Sequence, residues 1–144
     1  MKKLFMLALV LTTVIASAFS EIPSNTAVLN AFHKSFAEAK NIEWTIKKDF
    51  YRAKFSVNDE VMYAYYKEDG ELMAITRNIT TEQLPMGLSS TLFNKHKDYY
   101  LANLFEVSAN GESTYYAAIR KGNCIITLQA SAAGEWKFFK KERV

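Results

Sequence analysis

Residues 61–75 read VMYAYYKEDGELMAI, two β-forming runs around the turn chemistry of Lys67-Glu68-Asp69-Gly70. The stretch predicts a hairpin at the centre of the chain. Its first strand breaks a rule, because a strand with one wet face alternates apolar and polar residues. Here Val61, Tyr63 and Tyr65 point one way and Met62, Ala64 and Tyr66 the other. One of these two sets needs an explanation outside the core.

Upstream, Pro23-Ser24-Asn25-Thr26 reads as a helix start, and Leu29, Phe32, Phe36 and Ala39 follow at helical spacing. Trp44 and Ile46 then alternate with Glu43, Thr45 and Lys47. In 50–57, Tyr51, Ala53, Phe55 and Val57 share one side, with Arg52, Lys54 and Ser56 on the other. After the hairpin, 80–85 is a connector, and Leu88, Leu92 and Phe93 mark a weaker helix. Strand patterns return at 99–108, 114–120, 124–130 and 135–140. Asn110-Gly111, Lys121-Gly122-Asn123 and Ala133-Gly134 separate them as turns.

The halves align at a shift of 64 residues. Tyr51–Phe55 falls on Tyr115–Ile119, Gly70-Glu71-Leu72 on Gly134-Glu135-Trp136, Phe36 on Tyr100 and Val61 on Ile125. This predicts an α+β domain over 21–144, made of two repeats at about 24–80 and 86–144. Each repeat is one helix plus four antiparallel strands, and together they form one curved sheet with the helices packed on one face.

The shift also assigns faces. Met62, Ala64 and Tyr66 align with apolar Ile126, Leu128 and Ala130, so they belong to the core. Tyr63 and Tyr65 align with polar Thr127 and Gln129 and are expected on the open side. The expected open face carries Arg52, Lys54, Tyr63, Tyr65, Met73, Ile75, Arg77, Tyr116, Lys137 and Phe139. An aromatic patch rimmed by cations has the composition of a protein-binding surface. Cross-strand packing that stiffens the sheet, or cover by a C-terminal segment or a second copy, would use the same residues.

The 144-residue chain has room for one domain, with 49% hydrophobic and 23% charged residues. Met1-Lys2-Lys3, an apolar run over 4–15 and the small residues Ala16-Ser17-Ala18 form a signal peptide over 1–20. Cleavage falls after Ala18 or Ser20. The apolar run is short for a membrane anchor, so no span is expected once the leader is removed. Lys2 and Lys3 leave with it, so 16 of the 18 basic groups remain beside 15 acidic ones. A nearly neutral protein has no electrostatic footing for nucleic acid.

No catalytic or metal set is legible. His33 and His96 lack a second ligand at metal spacing, and the turns Asn58-Asp59-Glu60 and Glu68-Asp69 lack a calcium-loop pattern. The single cysteine, Cys124, cannot make an internal disulfide and sits in an apolar run. No cofactor is expected, and no enzyme.

FHKSFAEAKNIEW, YRAKF, the aromatic strand into Asp69-Gly70, EQLP and YYAAIRKGNCIITLQASAAGEW together resemble the secreted PepSY-like, beta-lactamase-inhibitor-protein-like (BLIP-like) domains of Bacteroidetes. The resemblance covers the whole chain after the leader. It implies a tandem helix-plus-sheet repeat with a concave sheet face, a periplasmic or secreted location and no cofactor. The expected function is a non-catalytic binding module for a protein or peptide, an inhibitor or a sensing domain. The alternative is a structural, self-assembling envelope protein, and the oligomeric state stays open.

Overall fold

The computed structural model describes residues 21–144, and the signal peptide read at 1–20 lies outside the described residues. A helix α1 (Thr26–Ser35) leads into β1 (Lys40–Ile46), β2 (Tyr51–Val57), β3 (Glu60–Tyr66) and β4 (Leu72–Asn78). A 3-10 turn at Thr81–Gln83 leads to α2 (Met86–Lys95), then β5 (Tyr100–Ala109), β6 (Glu112–Lys121), β7 (Cys124–Ser131) and β8 (Lys137–Arg143). The eight strands make one open antiparallel sheet in chain order.

α1 begins where its polar residues can satisfy free amides. Asn25 Oδ1 accepts from the N–H groups of Ala27 (3.0 Å) and Val28 (3.3 Å), and Asn25 Nδ2 donates to the Glu68 carbonyl (2.7 Å). One side chain thus caps the helix and pins the β3–β4 turn to it. α2 has no side-chain cap of this kind at Pro85. It is held instead by Trp136, whose indole N–H donates to the Leu88 carbonyl (2.9 Å).

Two apolar clusters form the interior. Val28 and Phe32 of α1 pack with Trp44, Ala53, Phe55, Ala64 and Tyr66. Leu88 and Leu92 of α2 pack with Leu104, Tyr115, Ala117, Ile119, Leu128 and Ala130. The first is aromatic: the Phe32 ring lies 5.2 Å from Trp44 and 5.0 Å from Phe55, edge-on to both, a geometry that adds to area burial. Phe93, expected in the apolar stripe of α2, is about half exposed.

Directly opposed residues of an antiparallel pair share a face. One row therefore runs Phe55–Met62–Arg77–Glu106–Tyr115–Ala130 across β2 to β7. Phe55 and Met62 pack in the first cluster, Tyr115 and Ala130 in the second. Both clusters lie on one side of the sheet, with an Arg–Glu pair where they meet.

The two helices start 60 residues apart, not 64. Counted from the core pairs Trp44↔Ala53 and Leu104↔Ala117, the β5–β6 hairpin holds four more residues than β1–β2. His96 is the C-cap of α2 as Phe36 is of α1, so the expected match of Phe36 with Tyr100 does not hold.

Gly70 has φ of +86°, and a Cβ there would come within 2.8 Å of the Ala27 carbonyl oxygen. Gly111 has φ of +77° with open space around it. Gly111→Ala should therefore cost only backbone strain, about 1 kcal/mol. Gly70→Ala should cost clearly more, because it also pushes the turn off α1. Denaturant midpoints of the two variants check the order.

The Tyr66 hydroxyl is buried without a hydrogen-bond partner, and burial pushes its phenol up to about 12. A raised folded value means that stability is complete below the ordinary phenol range and is lost as pH climbs from about 10 toward 12. Tyr66→Phe removes an unsatisfied group and keeps the ring. It should be neutral to stabilising by up to about 1 kcal/mol, and it should flatten unfolding in alkali. Urea melts across that pH range test both.

Candidate functional site: the open face of the sheet

The face away from the clusters carries three rows that concern function. The first is Thr45–Arg52–Tyr65–Ala74 and the second Glu43–Lys54–Tyr63–Thr76–Val107–Thr114–Ser131. The third is Asn78–Phe105–Tyr116–Gln129–Lys137. Arg52, Lys54, Tyr63, Tyr65, Tyr116 and Lys137 thus stand on this face, where the sequence places them.

The aromatic side chains fall into two groups. In one, the Arg52 guanidinium lies 5.6 Å over the Tyr63 ring, and Phe50 leans on Tyr65 at 5.8 Å. In the other, Phe105 and Tyr116 stack at 5.0 Å with ring planes 7° apart, and Phe139 meets Tyr116 edge-on at 5.3 Å. Between them run the smaller side chains Thr76, Val107 and Thr114. Burial raises the Tyr116 phenol above its ordinary value.

Arg52 Nη2 donates to Thr45 Oγ1 (3.1 Å), while Lys54 pairs with Glu43 (3.2 Å). The Arg52 Nε–H is buried and has no acceptor.

Several expected positions are corrected. Ile75 lies opposite buried Ala64, and Arg77 opposite Met62, so both belong to the cluster side. The cause is a β-bulge: Tyr65 pairs with Ala74 but Tyr66 with Leu72, so Met73 is the extra residue and has no directly opposed partner. One inserted residue reverses the alternation beyond it. A second bulge between Thr127 and Leu128 leaves Phe139 without a register partner, and its ring reaches Tyr116. Tyr65 stands on the open face but is only 8% exposed, covered by its neighbours.

Phe105 was not among the expected residues. Its neighbour Glu106 reads as a surface residue, which would turn Phe105 inward. In the structure Glu106 takes the cluster-side row, where Arg77 Nε donates to it at 2.8 Å. Arg77 also reaches Glu60 at 3.4 Å. Burial alone would raise the Glu106 carboxyl. Hydrogen bonds from Ser113 and Arg77, the Arg77 charge and a hydrogen bond from Tyr115 hold it below its ordinary value.

Two surface hollows lie at the β1 edge of the molecule, one lined by Glu38, Lys40, Asn41, Ser56, Asn58 and Asp59. The other is formed around Lys47–Tyr51 and Glu68. Neither adjoins the second ring group. Among the described residues no group of three or more His, Cys, Asp or Glu side chains is placed to hold a metal ion, and no helix is long and apolar enough to cross a membrane.

No family model matches this chain, and no curated protein does. Solved structures of Bacteroides proteins do. A BLIP-like protein from Bacteroides fragilis superposes with a TM-score of 0.72 at 14% identity, covering 86% of this chain and 89% of its own. A DUF2874 family protein from Bacteroides ovatus reaches 0.75 at 14% identity, covering 86% and 89%. A candidate periplasmic protein from Bacteroides eggerthii reaches 0.74 at 17% identity, covering 86% and 90%. At these identities the likeness is one of fold, and the fold is BLIP-like.

Glu106 generates a pH prediction. A folded carboxyl value below the unfolded one gives stability that is complete above the ordinary glutamate value of about 4.3. That stability is lost as pH falls through the lower, folded value. Glu106→Gln should therefore lower stability at pH 7 and flatten its fall below pH ~4.3. Thermal midpoints at pH 7 and across the acid range check it.

Proposed function

We infer that this protein is a non-catalytic binding module of the bacterial periplasm, taking a protein or peptide on the open face of its sheet. The single observation behind this is the pair of ring groups, Arg52–Tyr63 and Phe105–Tyr116–Phe139, on a face that neither apolar cluster uses. Rings with few rotors and a polar tip cover area at low entropic cost, as binding surfaces require. The leader-like sequence at 1–20 and the candidate periplasmic neighbour support the location. The BLIP-like fold supports a protein partner, and PepSY-like kinship is the finer reading of the sequence.

We read the two halves as copies of one helix-plus-four-strand unit whose helices cover the same face. The corresponding pairs Trp44↔Ala53 and Leu104↔Ala117 support this. Self-assembly through an edge strand is the weaker alternative. The β8 edge carries Lys137, Lys140, Lys141 and Arg143, and such charge discourages strand addition.

Capture from periplasmic extract tests the binding reading. Replacing both Tyr63 and Tyr116 by Ser should cut capture at least about tenfold, as loss of aromatic anchors does. The circular dichroism spectrum should be unchanged. Equal capture by a folded double variant would remove this face from consideration.

A further inference from the structure

The binding reading leaves the partner's chemistry open, and the inference here rests on that reading. Across the three ring-bearing rows the one carboxylate is Glu43, and Lys54 neutralises it at 3.2 Å. Arg52 and Lys137 have no carboxylate within ion-pair reach among the described residues.

Arg52 is also held in position. Thr45 accepts from Nη2, the Tyr63 ring lies beneath the guanidinium, and the buried Nε–H has no acceptor. The buried Nε–H lies out of reach of a ligand, but Nη1 has no acceptor among the described residues, and a fixed guanidinium is suited to a carboxylate. Lys137 closes the Tyr116 row at the far edge, directly opposite Gln129 and exposed to solvent. The two cations therefore bracket the rings.

Their separation sets a length. β2 and β8 are six strand steps apart in the sheet, roughly 29 Å along its surface at about 4.8 Å per step. The rows of Arg52 and Lys137 also stand apart along β4 by the span from Ala74 to Asn78, roughly 13 Å, so the diagonal is about 32 Å. An extended peptide rising about 3.3 Å per residue covers that distance in roughly ten residues. The geometry points to an extended protein segment of that length, acidic at both ends and apolar or aromatic in the middle, lying across the strands. Its carboxylates would meet Arg52 and Lys137, and its centre would lie over Thr76 and Val107 between the ring groups.

Selection from a random decapeptide library displayed on phage tests this against the purified protein and three variants, Arg52→Gln, Lys137→Gln and Tyr116→Ser. The expected result is enrichment of sequences with Asp or Glu at both ends. Recovery of those sequences should fall roughly tenfold on either charge variant and also as salt rises. Lys137 is exposed, so its substitution stays informative if the Arg52 variant folds poorly. Enriched sequences without acidic ends, lost on Tyr116→Ser but kept on both charge variants, would overturn the acidic partner and leave the surface standing. No enrichment, or enrichment indifferent to all three substitutions, would overturn the surface as well.

Discussion

The molecule depends on the short ladder between β4 and β5. Each half builds its own apolar cluster around its own helix, and no buried cluster spans both. They are joined by four register pairs, Ile75↔Ser108 to Asn78↔Phe105, extended by the Ile79 N–H donating to the Leu104 carbonyl at 3.0 Å. At this seam the cluster-side row changes character. Phe55 and Met62 on one side and Tyr115 and Ala130 on the other give way to Arg77 and Glu106, and in the next row the Ser108 and Ser113 hydroxyls hydrogen-bond to each other at 3.2 Å. The Arg77 side chain keeps part of its surface in water, so a paired charge suits the place where the two apolar clusters meet. The pair contributes modestly by its presence. Removing Arg77 is the costlier change, because it leaves the largely buried Glu106 carboxylate with only hydroxyl donors, whereas Arg77 without Glu106 still reaches Glu60.

Half of the ladder rests on the length of β5. Read as copies of one unit, as proposed, the two halves set Glu106 against Ile46, the last residue of β1. Val107 and Ser108 have no counterpart in that strand, and they are the residues that pair with Thr76 and Ile75. The longer β5–β6 hairpin thus supplies two of the four pairs that join β5 to β4, with Thr76↔Val107 on the open face among them.

Much of this was legible from alternation and turn chemistry. The hairpin about Asp69-Gly70, the helix start within Pro23-Ser24-Asn25-Thr26 and the core roles of Phe55, Ala64 and Tyr66 follow from local pattern, since period and capping are local properties. What local pattern cannot see is an inserted residue. The bulge at Met73 reverses Ile75 and Arg77, and the longer hairpin turns a shift of 60 residues into one of 64. Both misreadings come from treating the register as constant. Phe105 was hidden for a different reason. A buried carboxylate beside it imitates a surface residue, and only its partner Arg77, 29 residues away in sequence, explains why it is inside.

The strand that reads VMYAYYK can now be divided by task. Met62, Ala64 and Tyr66 serve the first cluster. Tyr65, covered by Phe50 and its strand neighbours, forms part of the floor, and Tyr63 supports Arg52. The second half puts Thr127 and Gln129 at the matching places because its rings come from β5, β6 and β8 instead, as Phe105, Tyr116 and Phe139. The two halves thus carry their open-face aromatic residues on different strands. The result is a strip of small side chains between two unlike ends, one a ring under a fixed guanidinium and the other a ring stack in the row that ends at an exposed ammonium. A sheet with matching ends would offer a bound segment no preferred direction, whereas the segment proposed for this face would meet two different ends.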